Sequence, residues 1–258
     1  MKKLSGYFDY LGNKTYIDKY PETIIKNDDL FDKKIMEMGC GTFNDMMYLI
    51  DSLVISWDDV YISEPYIPAF CQTIDKIDKI CGDGYCYENR LRISDRPLPN
   101  KDLSDECVDF VYSNNVLHAL AYKSLEEKLD YNFYHEKKIY PCMKEKNKLF
   151  RVPNEKLVDV LKDVYRILDN EGVFFGRTLS AKVDMEVMEK LKNKKDKTKA
   201  EQFTYWTGEA VLDGTLMGLN PNRFSDLGKY VGFSKVKVIE EEPNPEKPRR
   251  NLYFRFEK

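Results

Sequence analysis

The stretch Ile35-Met36-Glu37-Met38-Gly39-Cys40-Gly41-Thr42 decides the fold. Its first four residues read as a short apolar strand. The glycine pair that follows lets the backbone turn sharply and come close to a ligand. Phe43, Met46, Met47, Ile50 and Leu53 then recur at helical spacing. Strand, glycine turn and helix are the opening unit of an α/β sheet. Asn44 stands where a dinucleotide fingerprint has its third glycine, and no Gly-Lys-Ser/Thr follows, so that fingerprint is broken and a Walker-type loop is absent. Taken alone, the pair is equally well explained as an ordinary tight turn.

Working outward, the same alternation repeats. Val60-Tyr61-Ile62-Ser63 reads as a second strand ending at Glu64, and Ile67, Phe70, Cys71, Ile74 and Ile77 follow as a helical stripe. Leu91-Arg92-Ile93 is a weaker third strand and Val108 to Tyr112 a fourth. An irregular insertion, about 121–151, interrupts the pattern. Asn154 reads as an N-cap before the stripe Leu157, Val160, Leu161, Val164, Ile167 and Leu168. Asp169-Asn170-Glu171-Gly172 reads as a turn and Val173-Phe174-Phe175 as a fifth strand. A second insertion, about 181–206, carries a helix pattern and a lysine run from Lys190 to Lys199, whose plain reading is a solvated helix end. Asn220-Pro221 opens a further helix closed by Gly232. Val236 and Val238, then Leu252, Phe254 and Phe256, mark two last strands with no helix between them, so they pair antiparallel. The expectation is an α/β, Rossmann-like sheet with helices on both faces, forming one domain over 1–258.

Composition narrows the function classes. The 258 residues are 42% hydrophobic and 33% charged, with a formal net charge of -3, which suits a packed chain and argues against a strongly basic nucleic-acid binder. No apolar run approaches the ~20 residues of a membrane span. The N-terminus lacks the apolar stretch of a signal peptide. Six cysteines without a Cys-x-x-Cys pair, and two histidines, offer almost no ligand framework, so no metal is expected. These features point to a cytoplasmic protein with reduced thiols.

Ligands of such sheets bind beyond the carboxyl ends of the strands. Here four successive ends carry a glycine turn, Glu64, Ser94-Asp95, and the cluster Ser113-Asn114-Asn115-Val116-Leu117-His118. Ile35 to Thr42 resembles motif I of class I S-adenosylmethionine-dependent methyltransferases. Val60 to Glu64 resembles their next motif. Ser94-Asp95, Leu98-Pro99 and Val108-Asp109-Phe110-Val111 resemble a block typical of the branch related to ubiquinone and menaquinone methyltransferases, and Leu161 to Phe175 the helix and turn before its fifth strand. The likeness covers roughly 30–118 and 155–256. It implies a seven-stranded sheet of order 3-2-1-4-5-7-6 with strand 7 antiparallel.

The resemblance also implies roles. Gly39, Cys40 and Gly41 would lie under the amino-acid part of S-adenosyl-L-methionine. Glu37 would orient that turn or meet the cofactor ammonium, and Glu64 would bind the ribose hydroxyls. Asp95, with Arg96 beside it, would meet the adenine, and Ser113 or Asn114 the methionine end. This sequence departs from the pattern at Asn44 and Ser94, each in place of a glycine, and its Leu-Pro comes one residue early. The implied reaction is direct SN2 methyl transfer. A base, where the acceptor needs one, would come from His118 or His135, with Tyr134 as a polar contact. Packed or surface roles are the plainer alternatives for these three. Tyr7, Tyr10, Tyr16 and Tyr20 would form an N-terminal lid, about 1–30, or simply a packed aromatic helix.

For the acceptor, Ser113-Asn114-Asn115-Val116 stands where enzymes acting on planar amino groups carry an Asn-Pro-Pro-Tyr-like sequence. A small molecule under the two insertions is therefore expected. A protein or RNA acceptor docked on Lys190 to Lys199, or a non-catalytic cofactor-binding fold that holds a partner, stay open beside it.

Overall fold

The computed structural model describes residues 17, 20–41, 43–52, 54–65, 67–117, 155–212 and 218–258. The expected insertion 121–151, with Tyr134 and His135, lies outside the described residues, as do His118, Tyr7, Tyr10, Tyr16, Thr42 and the expected N-cap Asn154.

The strands are β1 (Ile35–Met38), β2 (Val60–Ser63), β3 (Ile93–Ser94), β4 (Val108–Asn114), β5 (Leu168–Val183), β6 (Lys235–Glu240) and β7 (Arg249–Glu257). They form one sheet of order β3-β2-β1-β4-β5-β7-β6 with β7 antiparallel. β1 pairs parallel with β2, Ile35 opposite Val60, and with β4, Ile35 opposite Phe110. All four β1 residues are buried, as a central strand covered on both faces requires. The helices are α1 (Asn44–Asp51), α2 (Ile67–Cys81), α3 (Tyr85–Glu88), α4 (Glu155–Ile167), α5 (Met185–Asn193), α6 (Lys199–Leu212) and α7 (Pro221–Val231).

The chain divides into two compact units. The first takes residues of 1–114, 162–176 and 255–258, and so holds β1 to β4. Its core is aromatic beside β4: Tyr112 lies 5.2 Å from Phe175 and 5.9 Å from Tyr20, centroid to centroid. Tyr20 is buried in that cluster. The C-terminus is tied in by Lys258, whose Nζ donates to the Leu168 carbonyl at 2.7 Å. The second unit takes residues of 115–161 and 177–254. Here Asn220 caps α7 by accepting from the N–H groups of Asn222 and Arg223, and Gly232 closes it at φ 121°. Phe224 packs edge-on to Phe254 at 5.2 Å.

Two local readings change. The third strand is Ile93–Ser94 rather than 91–93, because the N–H groups of Arg92 and Ile93 both donate to the Asn89 carbonyl at 2.9 Å, which makes 89–92 a turn. The turn read over 169–172 falls inside the bounds of β5. The chain nevertheless folds back there: a Cβ added to Gly172 would lie 2.9 Å from Leu168 Cβ, far closer than four extended residues allow.

Candidate active site

The ends of β1 and β2 meet at a backbone turn. Gly39 and Gly41 adopt φ of 70° and 55°, conformations that disfavour side chains. The Gly39 N–H donates to the Ser63 carbonyl at 2.6 Å. The Gly41 N–H donates to Oε2 of Glu64 at 2.7 Å, so the acid at the end of β2 fixes the turn at the end of β1. Helix α2 clamps the same turn. Buried Thr73 donates to the Gly41 carbonyl at 3.1 Å and lies 3.7 Å from Cys40 Sγ. One helical turn further, Lys76 donates to Asn44 Oδ1 at 3.1 Å. Asn44, the departure from a glycine, thus starts α1 with a partner for its side chain.

Three carboxyls are buried around this turn: Glu37 at 3% exposure, Asp45 at 4% and Glu64 at 5%. Asp45 collects three donors. Tyr112 Oη gives it a 2.6 Å bond, Asn114 Nδ2 one of 3.1 Å and the Ile17 N–H one of 3.2 Å. Burial, then the charges of Asp45 and Glu64, push the Glu37 carboxyl well above the usual carboxylate range. Burial likewise raises the Cys40 thiol and the Tyr112 phenol. Glu37 Oε2 and Ser113 Oγ are buried and meet no hydrogen-bond partner among the described residues. Buried polar atoms without partners are costly.

The expected residues therefore divide. Glu37, Gly39, Cys40, Gly41, Glu64 and Asn114 are tied together by these bonds and charges, and Ser113 lies opposite Met38 in the register of β1 and β4. Asp95 and Arg96 lie beyond β3 and are exposed; Arg96 forms an ion pair with Asp102, and its carbonyl accepts from Ser63 Oγ at 2.7 Å. Asp45 is the residue sequence reasoning missed. No group of His, Cys, Asp and Glu able to hold a metal ion occurs among the described residues, and none of their helices is long and apolar enough to cross a membrane.

The fold is that of class I S-adenosylmethionine-dependent methyltransferases. Over 96% of both chains it resembles a SAM-dependent methyltransferase from Aquifex aeolicus, with 12% identity and a TM-score of 0.50. It resembles PigF with SAH at 15% identity and a TM-score of 0.53, over all of this chain and 59% of that one. A geranyl diphosphate C-methyltransferase from Streptomyces coelicolor A3(2), solved with Mg2+, geranyl diphosphate and S-adenosyl-L-homocysteine, aligns over 92% of this chain and 77% of its own, at 8% identity and a TM-score of 0.53. No protein-family model and no curated protein matches the chain.

Proposed function

We propose that this chain is an S-adenosylmethionine-dependent methyltransferase with a small-molecule acceptor. The observation that supports it best is the acidic turn itself: two positive-φ glycines, one bonded to a buried Glu64, beside buried Glu37 and Asp45. S-adenosylmethionine carries an ammonium and a sulfonium, and buried carboxyls suit both charges. The partnerless Glu37 Oε2 and Ser113 Oγ suit a ligand that brings its own polar groups. The residues present thus fit the cofactor. Glu64 would hold the ribose hydroxyls, Gly39 to Gly41 the amino-acid part, Glu37 the ammonium, and Ser113 and Asn114 the methionine end. Asp95 and Arg96 would border the adenine.

When bound, the cofactor supplies a methyl group already activated on sulfur. The work of this chain is to bind, align and exclude water. His118, His135 and Tyr134 are the candidates for moving a proton from the acceptor. The small-molecule acceptor rests on Ser113-Asn114-Asn115-Val116 at the end of β4 and on the likeness of 94–111 to the ubiquinone and menaquinone branch. The Streptomyces neighbour, named for geranyl diphosphate, agrees with that choice. The cytoplasm is the proposed location. Incubation with methyl-labelled cofactor and fractionated cell extract tests the reading. Label entering small molecules supports it; label entering only protein or RNA, or no transfer at all, overturns it.

A further inference from the structure

The three buried carboxyls are not equivalent. Asp45 accepts from the Tyr112 hydroxyl, the Asn114 amide and the Ile17 N–H. Glu64 is stabilised by the Gly41 N–H. Glu37, on β1, has an Oε2 that meets no donor among the described residues, and the charges acting on it, Asp45 and Glu64, are both negative. Carboxyls crowded in one dry place cannot all ionise, and the one with fewest donors keeps its proton. Among the described residues, the other titratable groups that interact with Glu37 do not neutralise it. The Cys40 thiol and the Tyr112 phenol are both raised by burial and stay uncharged, and the Tyr112 hydrogen is already given to Asp45.

We propose that this site admits its cationic ligand in exchange for a proton, and that Glu37 is the group that gives the proton up. Glu37 is a neutral acid in the free protein. An arriving ammonium supplies the positive charge that Asp45 and Glu64 deny it, the Glu37 O–H bond breaks, and the proton leaves to solvent. No co-reactant is needed. The inference rests on the cofactor reading above, with Glu37 as a binding residue. It adds a linkage: affinity rises with pH, by up to about tenfold per unit, until Glu37 ionises in the free protein, and then levels off.

The test is titration calorimetry with S-adenosylhomocysteine, which carries the ammonium and does not react. It is run from about pH 5 to about pH 9, a span that includes known buried glutamates, in paired buffers of different ionisation enthalpy. Wild type is expected to release close to one proton in the lower part of the range, with tightening affinity. Glu37→Gln, which mimics the neutral acid, is expected to bind without releasing a proton and with an affinity flat in pH. Glu64→Gln is expected to weaken binding yet keep the release. The wild-type measurement decides even where a variant fails to fold. Binding with no buffer dependence and no pH dependence overturns the exchange while leaving the cofactor reading intact. A proton release that survives in Glu37→Gln overturns the assignment to Glu37. Absence of binding by both S-adenosylhomocysteine and S-adenosylmethionine at every pH overturns both.

Discussion

The Gly41 N–H and the Glu64 carboxylate are 2.7 Å apart, across 23 residues of sequence. One side chain at the end of β2 therefore shapes the turn at the end of β1 and is also the acid proposed to hold the ribose. Its loss should act twice. Glu64→Ala is expected to weaken cofactor binding by about one to two decades and to lower stability by roughly 1–3 kcal/mol, because the Gly41 N–H loses its acceptor. Glu64→Gln keeps an acceptor and should recover most of the stability but little of the affinity. Calorimetry and urea unfolding on both variants separate the two effects; equal stabilities would show that the bond does not hold the turn.

Tyr112 tests the other side of the acid cluster. Its hydroxyl reaches Asp45 at 2.6 Å while its ring packs on Phe175 and Tyr20. Tyr112→Phe keeps the ring and removes one donor from a buried carboxylate. The expected loss is about 1.5–3 kcal/mol, the range for a hydrogen bond to a charged group, with an unchanged denaturant slope. A change below about 0.5 kcal/mol would mean that Asn114 and Ile17 suffice to hold Asp45.

Those two carboxyls also mark the reach of sequence reading. Glu64 was legible because it ends an apolar run at the spacing an α/β site needs after a glycine turn. Asp45 was not. In the first turn of a helix an aspartate reads as a solvated charge favoured by the helix dipole. Its partners include Tyr112 and Asn114, 67 and 69 residues away, which no local pattern brings to it. Helix α6 was hidden for a related reason. Its buried Thr207, Gly208, Ala210 and Val211 do not form an apolar stripe, so 199–206 read as part of an insertion and 207–212 as no element. The α/β class and the closing antiparallel pair were legible because apolar runs and helical stripes alternate until the last two strands, whereas the order of the seven strands came only with the resemblance to class I methyltransferases.

Two glycines of the second unit should differ sharply on substitution. A Cβ on Gly218 would lie 2.6 Å from Ala181 Cα and 2.7 Å from the Ser180 carbonyl oxygen, both backbone. A Cβ on Gly208 would meet Met188 Sδ at 2.5 Å, the far end of a flexible side chain. Gly218→Ala must move a strand residue, and is expected to cost about 1–3 kcal/mol or more, whereas Gly208→Ala lets the methionine swing aside and stays near the low end of that range. Thermal unfolding of the two variants side by side checks the order; Gly208→Ala proving the worse would contradict it.

The last prediction concerns acid. At the start of α6, Thr198 and Glu201 satisfy each other. The Thr198 N–H donates to Glu201 Oε2 at 2.9 Å, and the Glu201 N–H donates to Thr198 Oγ1 at 3.2 Å, a capping box. Lys194 adds a 2.7 Å ion pair. That ammonium, then the Thr198 N–H, pulls the Glu201 carboxyl down from 4.5 to about 2. Because the folded-state value is depressed, the stabilisation is fully present above the ordinary glutamate range and is lost as pH falls from there toward about 2. The carboxyl is partly open to solvent, so salt should screen the Lys194 contribution and leave the capping bonds. A Glu201 titration followed by NMR should therefore show a depressed midpoint that rises partway in high salt. In Lys194→Ala it should start at that intermediate value and respond little to salt. A midpoint near 4.5 in wild type would mean that neither the cap nor the ion pair forms in solution.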